Sequence, residues 1–203
     1  MRAPYRLCLI LTRELCVLDP LRVAEEAVAG GVDMIQVREK ECSAAELLAW
    51  SCQVVELGQR LKVPVIINDS VEVMLAAEAS GVHLGQDDMS VADARQLLGE
   101  NKLIGLSTHD LEQLEDAALS GANYVGFGPV FATKTKGYTE GLGVEKLTTA
   151  ALLAQVPILA IGGIAVENAW MIPGKAGIAV SSAICSNKEP QKIAHALLAK
   201  NVY

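Results

Sequence analysis

The chain has 203 residues, a length typical of a single domain, although barrels of up to about 250 residues also form one unit. Hydrophobic residues make up 51% of the sequence and charged residues 20%, so the chain can bury a large core and disorder is excluded. The formal net charge of −7 argues against nucleic acid or an anionic membrane as a partner, because both bind broad basic surfaces. We therefore expect one domain over 1–203, in which a local cluster of cations holds any anionic ligand.

The sequence contains no apolar run of the roughly 18 residues that cross a bilayer, and its first twenty residues lack the layout of a signal peptide. A cytoplasmic protein is therefore expected, and its composition is compatible with a homo-oligomer. The five cysteines are an odd number and form no C-x-x-C pair, so neither a disulfide framework nor a thiolate zinc site is indicated. We expect all five to be inert, small hydrophobic side chains.

Short apolar runs alternate with amphipathic stretches along the whole chain, a pattern that predicts alternating strands and helices. The eight predicted strands are 6–12, 34–38, 65–68, 82–84, 103–107, 124–127, 158–161 and 178–181. The predicted helices are 21–29, 43–61, 71–79, 90–98, 110–119, 144–154, 165–171 and 189–200. Strands this short, with apolar residues on both faces, are typical of a parallel sheet covered by helices.

Helix boundaries follow from caps and glycines. Ser43 with Glu46, and Asp110 with Gln113, have the spacing of capping boxes, and glycines at 30–31, 81 and 121 are predicted to end helices in the left-handed conformation. Eight βα units without a linker predict a single α/β domain with the (β/α)8 TIM-barrel fold. A doubly wound open sheet is the alternative, but the glycine-rich turn expected after its first strand is absent.

In such a barrel the reactive groups lie at the carboxyl ends of the strands. Asp69 and Asp88 follow two neighbouring strands, and two convergent carboxylates suit Mg²⁺, which takes the remainder of its octahedron from water and substrate phosphate. The alternative is that both carboxylates cap the helices that follow. Cations nearby on the same rim favour the metal site.

Arg38, Lys40 and Lys136 form the local positive cluster that the acidic composition requires for an anionic ligand. Arg38 and Lys40 are two residues apart, which places both side chains on one side of an extended segment. Taken singly, each residue could equally be solvated surface.

The segment 131–142 is long for a βα connection and is expected to close over a substrate, unless it is simply a surface loop.

A phosphate monoester is predicted after the seventh and eighth strands, where barrels most often hold one. Gly162-Gly163 allows close approach to backbone N–H groups, and Ser181-Ser182 begins a short helix there, although the glycines could merely form a tight turn.

His83 is predicted to be a hydrogen-bonded structural residue. His109 follows Ser107 too closely to form a serine–base pair.

The sequence also resembles the thiamine-phosphate synthase family, barrel enzymes that join the pyrimidine and thiazole halves of vitamin B1. The stretches that carry the resemblance occur in order over nearly the whole chain, at 36–40, 66–69, 81–88, 105–109, 126–136, 160–164 and 181–184. The resemblance implies that pyrimidine diphosphate is bound by Gln36, Val37, Arg38, Glu39, Lys40, Asn68, Ser107 and Lys136, with Mg²⁺ on Asp69 and Asp88. It implies that thiazole phosphate is bound by Thr133, Lys134, Thr135, Gly163, Ser181 and Ser182.

The reaction implied by the resemblance is a dissociative substitution, in which the thiazole nitrogen takes the pyrimidine methylene and pyrophosphate leaves. Arg38, Lys40, Ser107 and Lys136 would then be the catalytic residues, because little acid–base chemistry is needed beyond neutralising the leaving group. Whether the thiazole phosphate carries an additional carboxylate is left open. The alternatives are a paralogue that isomerises thiazole phosphate and a barrel that binds phosphorylated metabolites without turnover.

Overall fold

The computed structural model describes residues 5–133 and 139–201, and its strands form one closed parallel barrel in sequence order. The predicted (β/α)8 fold is confirmed, since each strand pairs with the next and β8 pairs with β1. The strands are β1 Leu7–Leu11, β2 Met34–Val37, β3 Val65–Asn68, β4 Gly81–Leu84, β5 Leu103–Thr108, β6 Tyr124–Phe127, β7 Ile158–Ile161 and β8 Gly177–Val180. All eight lie within a residue or two of their predicted positions.

Helices follow the strands and surround the barrel. They are α1 Pro20–Ala29, α2 Ala44–Leu61, α3 Val71–Ala76, α4 Val91–Leu98, α5 Leu111–Ser120, α6 Val144–Leu153, α7 Ser182–Cys185 and α8 Pro190–Lys200. A single 3₁₀ turn, Arg13–Leu15, follows β1. This turn was not predicted, because it is shorter than the period that a sequence pattern needs, whereas α7 is the short helix expected to begin at Ser181-Ser182. Within the described ranges, no helix has both the length and the apolar character needed to cross a membrane.

Each strand separates two hydrophobic layers because successive side chains point to opposite faces. One face packs against the helices in the main core, which includes Val37. The other face fills the barrel interior with a smaller cluster of Cys8, Ile10, Met34, Ile66, Tyr124, Leu159 and Ala179. The same alternation points Gln36, Asn68 and Ser107 toward the barrel axis, near its carboxyl end.

One predicted capping box is complete and the other is displaced by a residue. Ser43 Oγ accepts from Glu46 N at 3.3 Å, and the Glu46 carboxylate accepts from Ser43 N at 2.9 Å. Asp110 likewise accepts from Gln113 N at 2.8 Å. The Gln113 side chain, however, accepts from His109 N, one residue before the expected partner.

The prediction that Gly81 ends a helix in the left-handed conformation was wrong. The left-handed residue is Glu78, with φ of 55°, whereas Gly81 is the first residue of β4. Gly81 is required there because a Cβ would lie 2.1 Å from the Leu103 carbonyl oxygen on β5. At Gly121 the prediction is confirmed, since this residue has φ of 88° and ψ of 23°.

The predicted helix over 165–171 was also wrong, since only a 3₁₀ turn over Ala169–Met171 forms. The Asn168 side chain explains the difference. Its Oδ1 accepts from Ala165 N at 2.8 Å and its Nδ2 donates to the Gly163 carbonyl at 2.9 Å. An asparagine side chain that bonds the nearby backbone stabilises a turn in competition with a helix.

Asp33 connects the start of β2 to the start of β1. Its carboxylate accepts from Arg6 N at 2.8 Å and from Leu7 N at 3.0 Å. Burial raises the pKa of this carboxyl group, and the hydrogen bonds from Arg6 and Leu7 oppose the rise.

We expect Asp33→Ala to lower the free energy of unfolding by about 2 kcal/mol, because two partly buried N–H groups lose their acceptor. Equilibrium urea denaturation measures the change, and Asp116→Ala on the exposed side of α5 is the matched control. An unchanged midpoint for Asp33→Ala, with the same slope as the unaltered protein, would contradict this role.

Candidate functional site

Two adjoining cavities open at the carboxyl ends of the barrel strands. The larger has a volume of about 660 Å³ and the smaller of about 350 Å³. Arg38, Ser107 and His109 line both of them. Since the strand ends of a (β/α)8 barrel carry its chemistry, these cavities are the candidate active site.

The smaller cavity brings Asp69 and Asp88 together, as predicted from their positions after β3 and β4. Burial raises the pKa of Asp88, and the neighbouring charge of Asp69 raises it further, while a hydrogen bond from Gly85 N at 2.6 Å opposes the rise. The two carboxylates therefore lie close enough to repel each other, an arrangement that a divalent cation relieves.

The structure decides against the alternative that these carboxylates cap helices. Ser70 Oγ accepts from Val73 N at the start of α3, and Ser90 Oγ accepts from Asp93 N at the start of α4. Both N-cap positions are therefore occupied by serine. Asp69 also has a left-handed backbone, with φ of 65°, a conformation that is uncommon outside glycine and is often found at functional sites.

The donor set fits Mg²⁺ better than a softer metal. Two carboxylates supply hard oxygen ligands, and Asn68 lines the same cavity. A closed metal site made by protein alone requires three or more ligand side chains. Across the described ranges, no group of three or more His, Cys, Asp and Glu side chains is arranged to hold a metal ion. A cation here would therefore depend on water and on oxygen atoms of a ligand.

Two positively charged side chains line the same cavity as the carboxylates, and they differ in whether a described residue already pairs with their charge. Lys40 Nζ lies 2.5 Å from Asp69 Oδ2, so its charge is already paired. The Arg38 guanidinium forms neither a hydrogen bond nor an ion pair with any residue that the structure describes, although it lines both cavities. An unpaired arginine facing a cavity is suited to bind an anion such as phosphate.

The larger cavity brings together the residues predicted to hold a phosphate. It is lined in part by Thr133, Gly162, Gly163, Ser181 and Ser182. Ser181 Oγ is buried and makes no hydrogen bond of good geometry with the described residues, so a ligand oxygen could satisfy it. Gly162 and Gly163 have φ of 98° and 64°, so the tight turn considered as an alternative is present within the same cavity wall.

A histidine that the sequence analysis treated as structural lies at the floor of the larger cavity. His83 Nε2 lies 2.9 Å from Ser107 Oγ, and its Nδ1 lies 3.2 Å from the Tyr124 hydroxyl. The hydrogen bonds agree with the prediction, but the position in the cavity was missed. Strand alternation could have found it, because His83 is two residues after the inward-facing Gly81.

Gly105 makes room for this chain of three polar side chains. A Cβ at Gly105 would lie 2.3 Å from Tyr124 Cζ and 2.5 Å from His83 Nδ1. We expect Gly105→Ala to displace His83 from Ser107 and to lower kcat/KM by about tenfold, since small displacements of aligned groups are costly. Steady-state kinetics together with a thermal melt separates this effect from unfolding. If the variant had the same kcat/KM as the unaltered protein, this role of Gly105 would be contradicted.

The structure adds Gln86 and His109 to the residues of the site. Gln86 Nε2 donates to the Ser107 carbonyl at 2.6 Å, and His109 Nδ1 lies 2.5 Å from the Gly128 carbonyl oxygen. Both line the smaller cavity. Their signal in the sequence is their place directly after β4 and β5, although neither belongs to a catalytic motif.

Three predicted binding residues line neither cavity. Val37 points outward into the main core, because it alternates with the inward-facing Gln36. Gln36 is buried inside the barrel. The Glu39 carboxylate accepts from Arg13 N at 2.9 Å and pairs with the Arg13 guanidinium at 3.3 Å. Three other predicted residues, Lys134, Thr135 and Lys136, lie outside the described residues.

Comparisons with known proteins agree with this architecture. A thiamine-phosphate synthase of Chlorobium luteolum is 41% identical, with 98% of this chain and 95% of that protein covered. The thiamine-phosphate synthase of Clostridium acetobutylicum is 39% identical, with coverage of 90% and 88%. The solved structure of a thiamine phosphate pyrophosphorylase from Pyrococcus furiosus superposes with a TM-score of 0.87 at 30% identity, covering 97% of this chain and 95% of that one.

The family model described as thiamine monophosphate synthase matches residues 7–184, which extend from the first strand of the barrel to α7. The matched region contains the described walls of both cavities and the carboxylate pair. Together with relatives of about 40% identity over nearly the full length, this match shows that the chain belongs to the thiamine monophosphate synthase family.

Proposed function

We propose that this protein condenses hydroxymethylpyrimidine diphosphate with hydroxyethylthiazole phosphate, giving thiamine phosphate and pyrophosphate. The observation that carries the proposal is the Arg38 guanidinium, which lines both cavities and is unpaired among the residues that the structure describes. Arg38 can therefore contact the diphosphate in one cavity while the reacting methylene faces the other. A reaction between two phosphorylated substrates needs such a shared position.

The smaller cavity is the proposed site of the diphosphate. Arg38 and Lys40 supply positive charge there, and Asn68 and Ser107 supply polar groups. Asp69 and Asp88 would hold Mg²⁺, which supplies charge neutralisation for the departing pyrophosphate. In an acidic protein, this local charge is what would bind and stabilise a polyanion.

The larger cavity is the proposed site of the thiazole phosphate. Gly163, Ser181 and Ser182 face it from the connections after β7 and β8, and Ser181 Oγ offers a buried hydroxyl for a phosphate oxygen. Thr133 lines the same cavity.

The proposed step forms one bond and breaks one bond at the pyrimidine methylene. The thiazole nitrogen donates its electron pair to that carbon, and the carbon–oxygen bond to the diphosphate breaks with its electrons leaving on pyrophosphate. No proton has to be removed from the nucleophile, so the protein needs no nucleophile–base pair. In a dissociative path, positive charge develops on the pyrimidine before the nitrogen arrives, and the walls of the larger cavity exclude competing water.

The test is an assay with purified protein, pyrimidine diphosphate, thiazole phosphate and Mg²⁺, in which thiamine phosphate and pyrophosphate are measured. Formation of both products in equal amounts is the expected result. Isomerisation of thiazole phosphate without condensation would favour the paralogous tautomerase. Binding of either substrate without turnover would favour a non-catalytic barrel.

Ser182 tests the assignment of the two cavities. We expect Ser182→Ala to raise KM for thiazole phosphate by about fivefold to tenfold with little change in kcat, because one neutral hydrogen bond to a phosphate is lost. KM for the pyrimidine diphosphate should not change. A rise in the diphosphate KM instead would reverse the assignment.

A further inference from the structure

Cys16 and Cys185 lie next to each other at the edge of the larger cavity. Cys16 follows the 3₁₀ turn after β1, and Cys185 ends α7. Hydrogen bonds hold the two segments together on both sides of the pair. Val17 N donates to the Cys185 carbonyl at 3.1 Å, and Ser186 Oγ donates to the Leu15 carbonyl at 3.1 Å.

The two sulfur atoms are held on the same side of one strand end. Cys16 Sγ lies 3.4 Å from the Thr12 carbonyl oxygen, and Cys185 Sγ lies 3.7 Å from that of Ile10. Carbonyl groups two residues apart on an extended segment point the same way, so both thiols lie on the same side of it. A hydrogen bond between the thiols lowers the pKa of Cys185 and raises that of Cys16.

We propose that Cys16 and Cys185 are an oxidation-sensitive dithiol, which a peroxide converts to a disulfide joining the connection after β1 to α7. The expectation that all five cysteines are inert is thereby replaced for this pair. The other three are separate from it: Cys8 is buried in the barrel interior, Cys42 precedes the N-cap of α2, and Cys52 lies within α2.

The chemistry balances with hydrogen peroxide as the oxidant. The pair first loses one proton to solvent, from Cys185. Cys16, the more accessible thiol, passes its proton to the Cys185 thiolate and attacks a peroxide oxygen, giving a sulfenic acid and releasing hydroxide. That hydroxide takes the proton of Cys185, and the Cys185 thiolate then attacks the Cys16 sulfur. The departing hydroxide takes a proton from solvent, so two thiols and one peroxide give one disulfide and two waters.

The disulfide should change the shape of the larger cavity. Its sulfur atoms are only about 2.05 Å apart, so forming it draws the two segments together. Leu15 on one segment and Ser182 and Ala183 on the other all line the cavity. This consequence rests on the proposed function, because it concerns binding of thiazole phosphate there.

The first experiment detects the bond itself. The full chain carrying Cys42→Ser and Cys52→Ser is treated with hydrogen peroxide, denatured, alkylated and digested. We expect a peptide pair linked through Cys16 and Cys185, a mass lower by two hydrogen atoms, and full reversal by dithiothreitol. Adding Cys16→Ser should abolish the link, and Cys185→Ala provides a second variant. Sulfinic acids without a link, or both thiols still open to alkylation, would overturn the proposal.

The second experiment measures KM for thiazole phosphate in the oxidised and reduced protein. We expect a rise of about tenfold on oxidation, restored by dithiothreitol and absent in the Cys16→Ser variant. A linked protein with unchanged KM would refute the effect on the cavity. Reduced protein that forms no thiamine phosphate would instead refute the proposed function, while the linked peptides remain an independent measure of the dithiol.

Discussion

Replacing Asp88 by Asn should lower kcat/KM for the condensation by about a hundredfold at saturating Mg²⁺. The amide removes the negative charge that would hold the cation, which is worth several kcal/mol to a reaction whose charge develops on a departing pyrophosphate. Asn keeps an oxygen that can accept from Gly85 N, so the local backbone should be retained. Coupled detection of pyrophosphate gives the rate.

A titration with Mg²⁺ makes the Asp88 result specific. The variant should need a higher Mg²⁺ concentration for half-maximal rate, whereas a purely structural defect would lower the rate at every concentration. Asp116→Asn on the outer surface of α5 is the matched control and should behave as the unaltered protein. If Asp88→Asn retained the full rate with chelator present, the metal assignment would be wrong.

Arg38→Ala should lower kcat/KM by between about a hundredfold and a thousandfold, with losses in both substrate binding and turnover. The guanidinium lines both cavities and has no partner among the described residues, so its removal leaves a phosphate without its planar donor pair. Since no ion pair with a described residue is broken, stability should change little. A thermal melt checks that point.

The comparison with Arg38→Lys separates charge from geometry. Lysine keeps the positive charge but lacks the forked pair of donors, so we expect it to recover part of the activity. Arg22→Ala, which breaks an exposed pair with Glu26 on α1, is the control for loss of a positive charge elsewhere. Equal activity of Arg38→Ala and Arg22→Ala would show that Arg38 does not contact the reacting groups.

Much of the barrel could be predicted because its elements depend on local patterns. The eight apolar runs gave all eight strands, and Ser43 gave the start of α2 through a box that forms as predicted. The two wrong predictions of secondary structure each have a local physical cause. Asn168 bonds its own backbone and stabilises a turn where a helix was expected, and Glu78 takes the left-handed conformation that was assigned to Gly81.

The candidate site was predicted in outline, since strand ends converge in any closed barrel. Asp69, Asp88, Arg38 and Lys40 lie together in one cavity. Val37 was included from the resemblance, although strand alternation turns its side chain outward. His83 was set aside because an isolated histidine in a strand has no spacing motif, and its partners Ser107 and Tyr124 come from β5 and β6.

The sequence by itself determined the order of strands and helices, the closed barrel and the rim on which the polar residues gather, because these follow from periodicity and chain length. Only the tertiary structure decided which carboxylates cap helices, which cation is already paired, and that Cys16 meets Cys185. These pairings join residues that are distant in the chain. Their distances depend on how the strands and helices pack, which no local pattern encodes.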